Sequence, residues 1–169
     1  LGPLTIIGHS KGGLIGRYYV KRLGGDKRVK ALVTLATPHH GTPAAYLGIA
    51  LTGLVARSVW QMTPMSDFIR RLKIGRFPES VRFVSIYSKA DKVSPFPSCM
   101  IEADQGPNLY NLEVPNVGHH EFLRKRAVYQ VVQRELALAY GLPVPAPKLV
   151  AIRGTGSDGG AGGGSPGDE

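Results

Sequence analysis

Cysteine is nearly absent: Cys99 is the single thiol in 169 residues, so no internal disulfide can form, and Cys99 reads as a bystander. Tryptophan also occurs once, and acidic residues are scarce, 12 Asp and Glu against 21 Lys and Arg. Nor is there a long hydrophobic run. The apolar stretch from Tyr46 to Ala56 falls short of the ~20 residues that a membrane-crossing helix requires. The chain opens on Leu1 rather than Met and enters an apolar strand-like run at once. It is expected to be a portion whose upstream part is missing, so the absence of a leader says nothing about compartment. The compartment stays open, with a secreted or cell-envelope setting favoured, and the oligomeric state is not legible.

The shortage of acid leaves a formal net charge of +9, which raises nucleic acid and anionic lipid surfaces as partners. Lys and Arg are spread along the chain, and the signature motifs of DNA and RNA binding are missing, so no nucleic-acid partner is expected. The one dense run, Arg124-Lys125-Arg126, is read as the solvated start of a helix. A hydrophobic content of 43% against 20% charged residues fits one globular domain with a buried core.

What is present alternates between two periods. Leu4 to Ile7 is a short apolar, β-branched run that fits a buried strand. Gly12 to Leu23 switches to helical spacing, with Leu14, Ile15, Tyr18, Tyr19 and Leu23 expected on one side and Gly24-Gly25 as the stop. Lys30 to Ala36 and Val81 to Tyr87 are apolar on both faces, as strands of a covered parallel sheet are. Leu109 to Val114 alternates more and suits a position nearer the sheet edge. Glu121 to Tyr140 repeats Val128, Tyr129, Val132, Leu136 and Ala139 before Gly141 and Pro143, which predicts a final amphipathic helix. Strands alternating with helices argue an α/β class with a parallel sheet. An apolar insert at about 43–78 reads as two or three helices between strands. The domain is expected over 1–142, and the Pro- and Gly-rich segment 143–169 as a flexible tail.

The chemistry gathers around residues 6–13, IIGHSKGG. The pattern G-x-S-x-G alone is cheap, since GGSPG at 163–167 satisfies it too. No strand precedes Ser165, no helix follows it, and Pro166 lacks the N–H that a nucleophile's neighbour must offer. Ser10 instead stands between a strand and a helix. A serine on so sharp a turn is exposed at the sheet edge, and Gly8 and Gly12 flank it as positions expected to need no side chain, with Gly13 allowing close helix packing. The backbone N–H of Lys11 would be one oxyanion donor.

An activated serine needs a base and an orienting carboxylate, in the order Ser, Asp or Glu, His on such a scaffold. Asp91 follows the strand Val81 to Tyr87, and His119 or His120 follows Leu109 to Val114, so both fall on the edge that carries Ser10. Asp104 is the fallback acid. His9 is read as packing or making a structural hydrogen bond, because it is expected to point away across the turn. His39-His40 projects in two directions with no Cys, Asp or Glu nearby, so it is read as a loop shaping the pocket floor rather than a metal site. Neither a metal nor a cofactor is expected, and His9 and His40 are taken as candidate substrate-pocket residues.

The segments GHSKGG, VTLATPHHGT, SIYSKADKV and VGHHEFL, in that order, resemble the α/β-hydrolase lipases and esterases, in particular the bacterial triacylglycerol lipases, over about residues 3–140. The resemblance implies the C-terminal part of an α/β-hydrolase fold, with Ser10 as nucleophile, Asp91 as acid and, from the V-G-H motif, His119 as base, leaving His120 as the alternative. It implies a cap or lid over an acyl pocket in the insert, with plain packing helices as the alternative. The activity implied is hydrolysis of lipid or other apolar esters through an acyl-enzyme, with peripheral contact to anionic lipid suited by the charge. An acyltransferase or thioesterase with the same triad, and a non-catalytic basic module, are the rivals. In the resembling fold the strand Leu4 to Ile7 is paired on both sides and a second oxyanion donor lies upstream. The 169-residue chain alone is therefore expected to fold poorly and to be inactive.

Overall fold

β-branched and aliphatic residues in short runs, each closed by a turn, set up the sheet. The structure, a computed structural model, describes residues 2–45 and 60–144. Its elements are β1 (Leu4–His9), α1 (Lys11–Arg22), β2 (Val29–Leu35), α2 (Asp67–Lys73), β3 (Arg82–Tyr87), α3 (Phe96–Cys99), β4 (Leu109–Glu113) and α4 (Arg126–Tyr140). The four strands are all parallel in the order β1-β2-β3-β4. A parallel sheet puts every strand's C-terminal end on one edge, so the segments after β1, β3 and β4 share it.

Alternate residues of β2 and β3 face opposite layers. Val33, Leu35, Val84 and Ile86 form one core with Val128 and Val132 of α4, and Phe122 and Val117 join it. Leu32 and Phe83 face the other way and pack with Val20 of α1, Val81 and Ile101. Helices therefore cover both faces, which is why β2 and β3 carry apolar residues on both sides. Glu135 of α4 is buried and pairs with Arg82 at 2.6 Å, fixing α4 to β3. Among the described residues β4 is an edge strand, as its alternation suggests, and β1 is the other edge. The expectation that Leu4 to Ile7 is a buried strand is corrected: with one side unpaired, Leu4, Thr5 and Ile6 are only partly buried and Ile7 is exposed. An apolar edge of this kind invites pairing with another strand.

Two helix faces differ from the sequence expectation. α1 buries Gly13, Leu14, Gly16, Arg17 and Val20, while Ile15 and Leu23 are exposed. The helix turns its small residues to the sheet because close approach, more than side-chain size, sets that contact. The last helix begins at Arg126 rather than Glu121. Residues His119–Leu123 form a separate short 3₁₀ segment, held by the Glu121 carboxylate accepting from Gly118 N–H at 2.7 Å. Lys125 is extended, with ψ 124°, so the two helical pieces are distinct. Arg124, Lys125 and Arg126 are exposed there.

Within the insert, α2 is capped by Ser66, whose side chain accepts from Ile69 N–H at 3.2 Å. Its far end is capped from α1. Lys21 Nζ donates to Leu72 O at 2.9 Å, to Gly75 O and to Gln105 Oε1 at 3.0 Å. Arg22 Nη2 donates to Arg71 O and Ile74 O at 2.7 and 2.8 Å. Two cations thus satisfy the open carbonyls of a short helix end and tie the insert to the helix that follows Ser10. The rest of the expected helical insert, residues 46–59, and the tail from 145 lie outside the described residues.

Candidate active site

Ser10 occupies the turn between β1 and α1 with φ 53° and ψ −125°, a conformation that a residue with a side chain rarely adopts. The surroundings hold it there. Ser10 N–H donates to Leu35 O at 2.8 Å, and Ser10 O accepts from Gly13 N–H at 3.1 Å. The glycines do not contribute equally. A Cβ on Gly8 would sit 2.6 Å from the Gly13 nitrogen and 2.7 Å from the Gly12 carbonyl carbon, both backbone atoms that cannot swing aside. A Cβ on Gly13 would meet Thr37 Oγ1 at 2.1 Å, whereas one on Gly12 meets nothing within 4 Å. The expectation that Gly12 must lack a side chain is therefore corrected: Gly8 and Gly13 are the constrained pair, because the turn is tightest where β1 passes under the start of α1. Gly8→Ala is expected to lose about 1–3 kcal/mol or more, while Gly12→Ala gains ~0.5–1 kcal/mol from helix propensity. Urea unfolding of the two variants checks this, and equal effects would contradict the packing described.

Asp91 follows β3 and is 4% exposed; His119 follows β4 and is 8% exposed. His119 Nδ1 lies 2.8 Å from Asp91 Oδ2, and His119 Nε2 lies 3.1 Å from Ser10 Oγ. An ionised carboxylate only accepts, so Nδ1 carries the proton and the Nε2 lone pair faces the serine hydroxyl. The other Asp91 oxygen, Oδ1, accepts from Val93 N–H at 2.8 Å and Ser94 N–H at 2.9 Å. Burial pushes the Asp91 carboxyl up, but the hydrogen bonds from His119, Ser94 and Val93 outweigh it and hold the group below its ordinary range. Asp91 is thus a fixed, charged acceptor. Asp104, the fallback, is exposed on the one-turn segment Ala103–Gln105.

The remaining sequence candidates fall in different places. His120 is exposed, its ring edge-on to His119 with centroids 5.3 Å apart. Lys11 opens α1 directly after Ser10, so its backbone N–H belongs to the helix end where the dipole favours negative charge. His40 Nε2 donates to Met100 O at 2.9 Å, and its Nδ1 is 3.4 Å from Glu102 Oε1. His39 is fully buried, with Nε2 3.0 Å from Thr34 Oγ1. The two histidines diverge, as adjacent loop residues do, and each braces the loop after β2. Cys99 is buried, and burial pushes its thiol up to about 12, which leaves it unreactive in the folded chain. A cleft of about 330 Å³ between α1 and the insert is lined by Tyr18, Trp60, Phe68 and Arg71 among others, and neither Ser10 nor His119 lines it.

His9 makes the structural hydrogen bond expected of it, but its direction departs from the expectation. It does not point away across the turn: its Nε2 is 2.9 Å from His119 O, and the two rings are 4.8 Å apart. The short 3₁₀ segment after β4 lies back against the end of β1, which brings residues distant in sequence together. Nothing in the local sequence marks that contact.

The family model for palmitoyl protein thioesterases matches residues 2–73. No curated protein matches the chain in sequence. Among solved structures, a mature lipase of Bacillus licheniformis is similar at TM-score 0.64 and 15% identity, over 82% of this chain and 66% of that one. Lipase B of Aspergillus fumigatus is similar at TM-score 0.59 and 19% identity, over 80% of this chain and 37% of that one. Mouse alpha/beta hydrolase domain-containing protein 10 is similar at TM-score 0.54 and 18% identity, over 85% of this chain and 64% of that one. This chain thus spans two thirds or less of each of these structures. With a parallel sheet covered on both faces, and a strained serine on the turn from β1 into α1, the chain has the α/β-hydrolase fold.

Proposed function

We propose that the protein is a serine hydrolase of carboxylic esters, acting through Ser10, His119 and Asp91 on lipid or other apolar esters. The observation that carries this reading is the chain of contacts from Ser10 Oγ to His119 Nε2 at 3.1 Å and from His119 Nδ1 to Asp91 Oδ2 at 2.8 Å. Its likeness to lipases in fold supports the same class. His119 Nε2 takes the hydroxyl proton as Ser10 Oγ attacks the ester carbonyl, and the oxyanion that forms is received by the Lys11 N–H. The imidazolium then gives its proton to the departing alkoxide, leaving an acyl-serine. Water, deprotonated by His119, releases the acid and restores Ser10. Asp91 keeps the ring in the required tautomer and offsets its positive charge while it lasts. Exposed Trp60 and Met65 on the insert suit an apolar substrate, and the net charge of +9 suits an anionic lipid surface.

A second reading, thioester hydrolysis by the same triad, is favoured by the thioesterase family match over residues 2–73. The intermediate is the same acyl-serine; only the leaving group differs, a thiolate instead of an alkoxide. Labelling with a fluorophosphonate probe tests the shared chemistry, and matched ester and acyl-thioester substrates then separate the two readings. Labelling that Ser10→Ala abolishes supports the nucleophile; salt-sensitive lipid binding with no labelling would replace it with a non-catalytic basic module. Transfer of the acyl group to an added alcohol in preference to water would mark an acyltransferase. Within the same assay, His120→Ala is expected to run at the wild-type rate and His119→Ala to lose turnover, and the reverse result would move the base to His120.

A further inference from the structure

We infer that His9 is a positioning residue for the base, holding His119 through its backbone carbonyl while contributing no charge of its own. The inference rests on the proposed role of His119. A carbonyl oxygen only accepts, so the 2.9 Å contact between His9 Nε2 and His119 O requires a proton on His9 Nε2. His119 sits on a short 3₁₀ segment, His119–Leu123, that is separate from α4. A segment this short is weakly held by its own hydrogen bonds, so its placement over Ser10 depends on outside contacts. Asp91 holds the ring of His119 at 2.8 Å and His9 holds its main-chain carbonyl at 2.9 Å, so the two act on different parts of the same residue. His9 is also the neighbour of Ser10 in sequence, at the end of β1. One rigid strand end therefore sets both the nucleophile and the base that must meet it, which is the geometry a short proton transfer demands.

The second part concerns charge. The His9 ring centroid is 4.8 Å from that of His119, and His119 must become an imidazolium during the reaction. A charged His9 would oppose that step. Burial, first of all, lowers the pKa of His9, with the nearby imidazoles of His119 and His120 adding to it, while the bond to His119 O and the Asp91 carboxylate work the other way. His9 is therefore neutral at neutral pH and becomes a second cation only on acidification.

Three variants test this with kcat, KM and the pH profile read together. His9→Phe keeps a ring but removes the donor, and is expected to lower kcat by ~10–10²-fold with KM unchanged. His9→Gln places an amide N–H where Nε2 stands and is expected to recover most of the lost kcat. Because neither variant can titrate at this position, both should lose one component of the acid limb of kcat/KM seen in the wild type. Equal loss in Phe and Gln variants that follows their thermal stability, with the acid limb unmoved, would reduce His9 to packing and overturn the inference. A KM effect alone would assign it to substrate contact instead, and overturn it too. Fluorophosphonate labelling of the wild type keeps the two claims apart: if Ser10 is not labelled even there, the serine-hydrolase reading has failed before His9 is tested.

Discussion

Ser10→Ala is expected to lower kcat by ~10⁴-fold or more, while Ser165→Ala leaves the rate where it was. Both serines satisfy the same five-residue pattern, so the pair is its own control. The difference is in what surrounds them. Ser10 is held at φ 53° between the edge strand β1 and a helix, with its hydroxyl 3.1 Å from His119 Nε2. That strain costs of order 1–3 kcal/mol, and the structure carries it because it points the hydroxyl at an acceptor fixed by Asp91. Replacing Ser10 with Ala removes the proposed attacking atom, and no other hydroxyl among the described residues contacts His119 Nε2. Folding should survive, since Ser10 is half-buried and its backbone hydrogen bonds to Leu35 and Gly13 remain. Measuring kcat together with the urea midpoint separates loss of chemistry from loss of fold. Loss of rate in Ser165→Ala to the same extent would discard the assignment.

The sheet and the edge that carries the site were legible because their signals are local. β2 and β3 are buried on both faces along most of their length and so are mainly apolar, and each site residue follows a strand that can be recognised by itself. Parallel order then brings Ser10, Asp91 and His119 to one edge without any knowledge of contacts. What was not legible depended on distances between segments. Gly12 looked as constrained as Gly8 because both flank Ser10 in sequence, but steric demand is set by where β1 and α1 cross, and that point is Gly13. His9 was read from its place in the turn alone. Its partner, the carbonyl of His119, is 110 residues away and backbone atoms leave no mark in a sequence. The break before α4 was hidden for a related reason: the apolar spacing runs on smoothly, while the Glu121 carboxylate bonded to Gly118 N–H closes a turn that does not continue.

Asp91→Asn should cost up to ~10⁴-fold in kcat while leaving the shape of the site in place. The carboxylate accepts on both oxygens, from His119 Nδ1–H on Oδ2 and from Val93 and Ser94 N–H on Oδ1. An amide can keep only one of these sets. With its oxygen toward Val93 and Ser94, its NH₂ meets His119 Nδ1 and drives the ring to the other tautomer, so that Nε2 carries a proton and can no longer take one from Ser10. With the amide turned round, the NH₂ opposes two backbone N–H groups in a buried place, where an unmet donor costs about 1–3 kcal/mol. The first arrangement is favoured, which makes this a chemical lesion more than a structural one. The pH dependence of stability gives an independent check. The Asp91 carboxyl is held below its ordinary range, so its contribution is complete above the unfolded value of ~3.9 and is lost as pH falls through the lower folded value. Asp91→Asn should remove that share of the acid sensitivity, flattening the stability curve below about pH 4. Asp104→Asn, on an exposed carboxylate, should change neither the rate nor the curve. A full rate in Asp91→Asn together with a collapsed rate in Asp104→Asn would transfer the orienting role to Asp104.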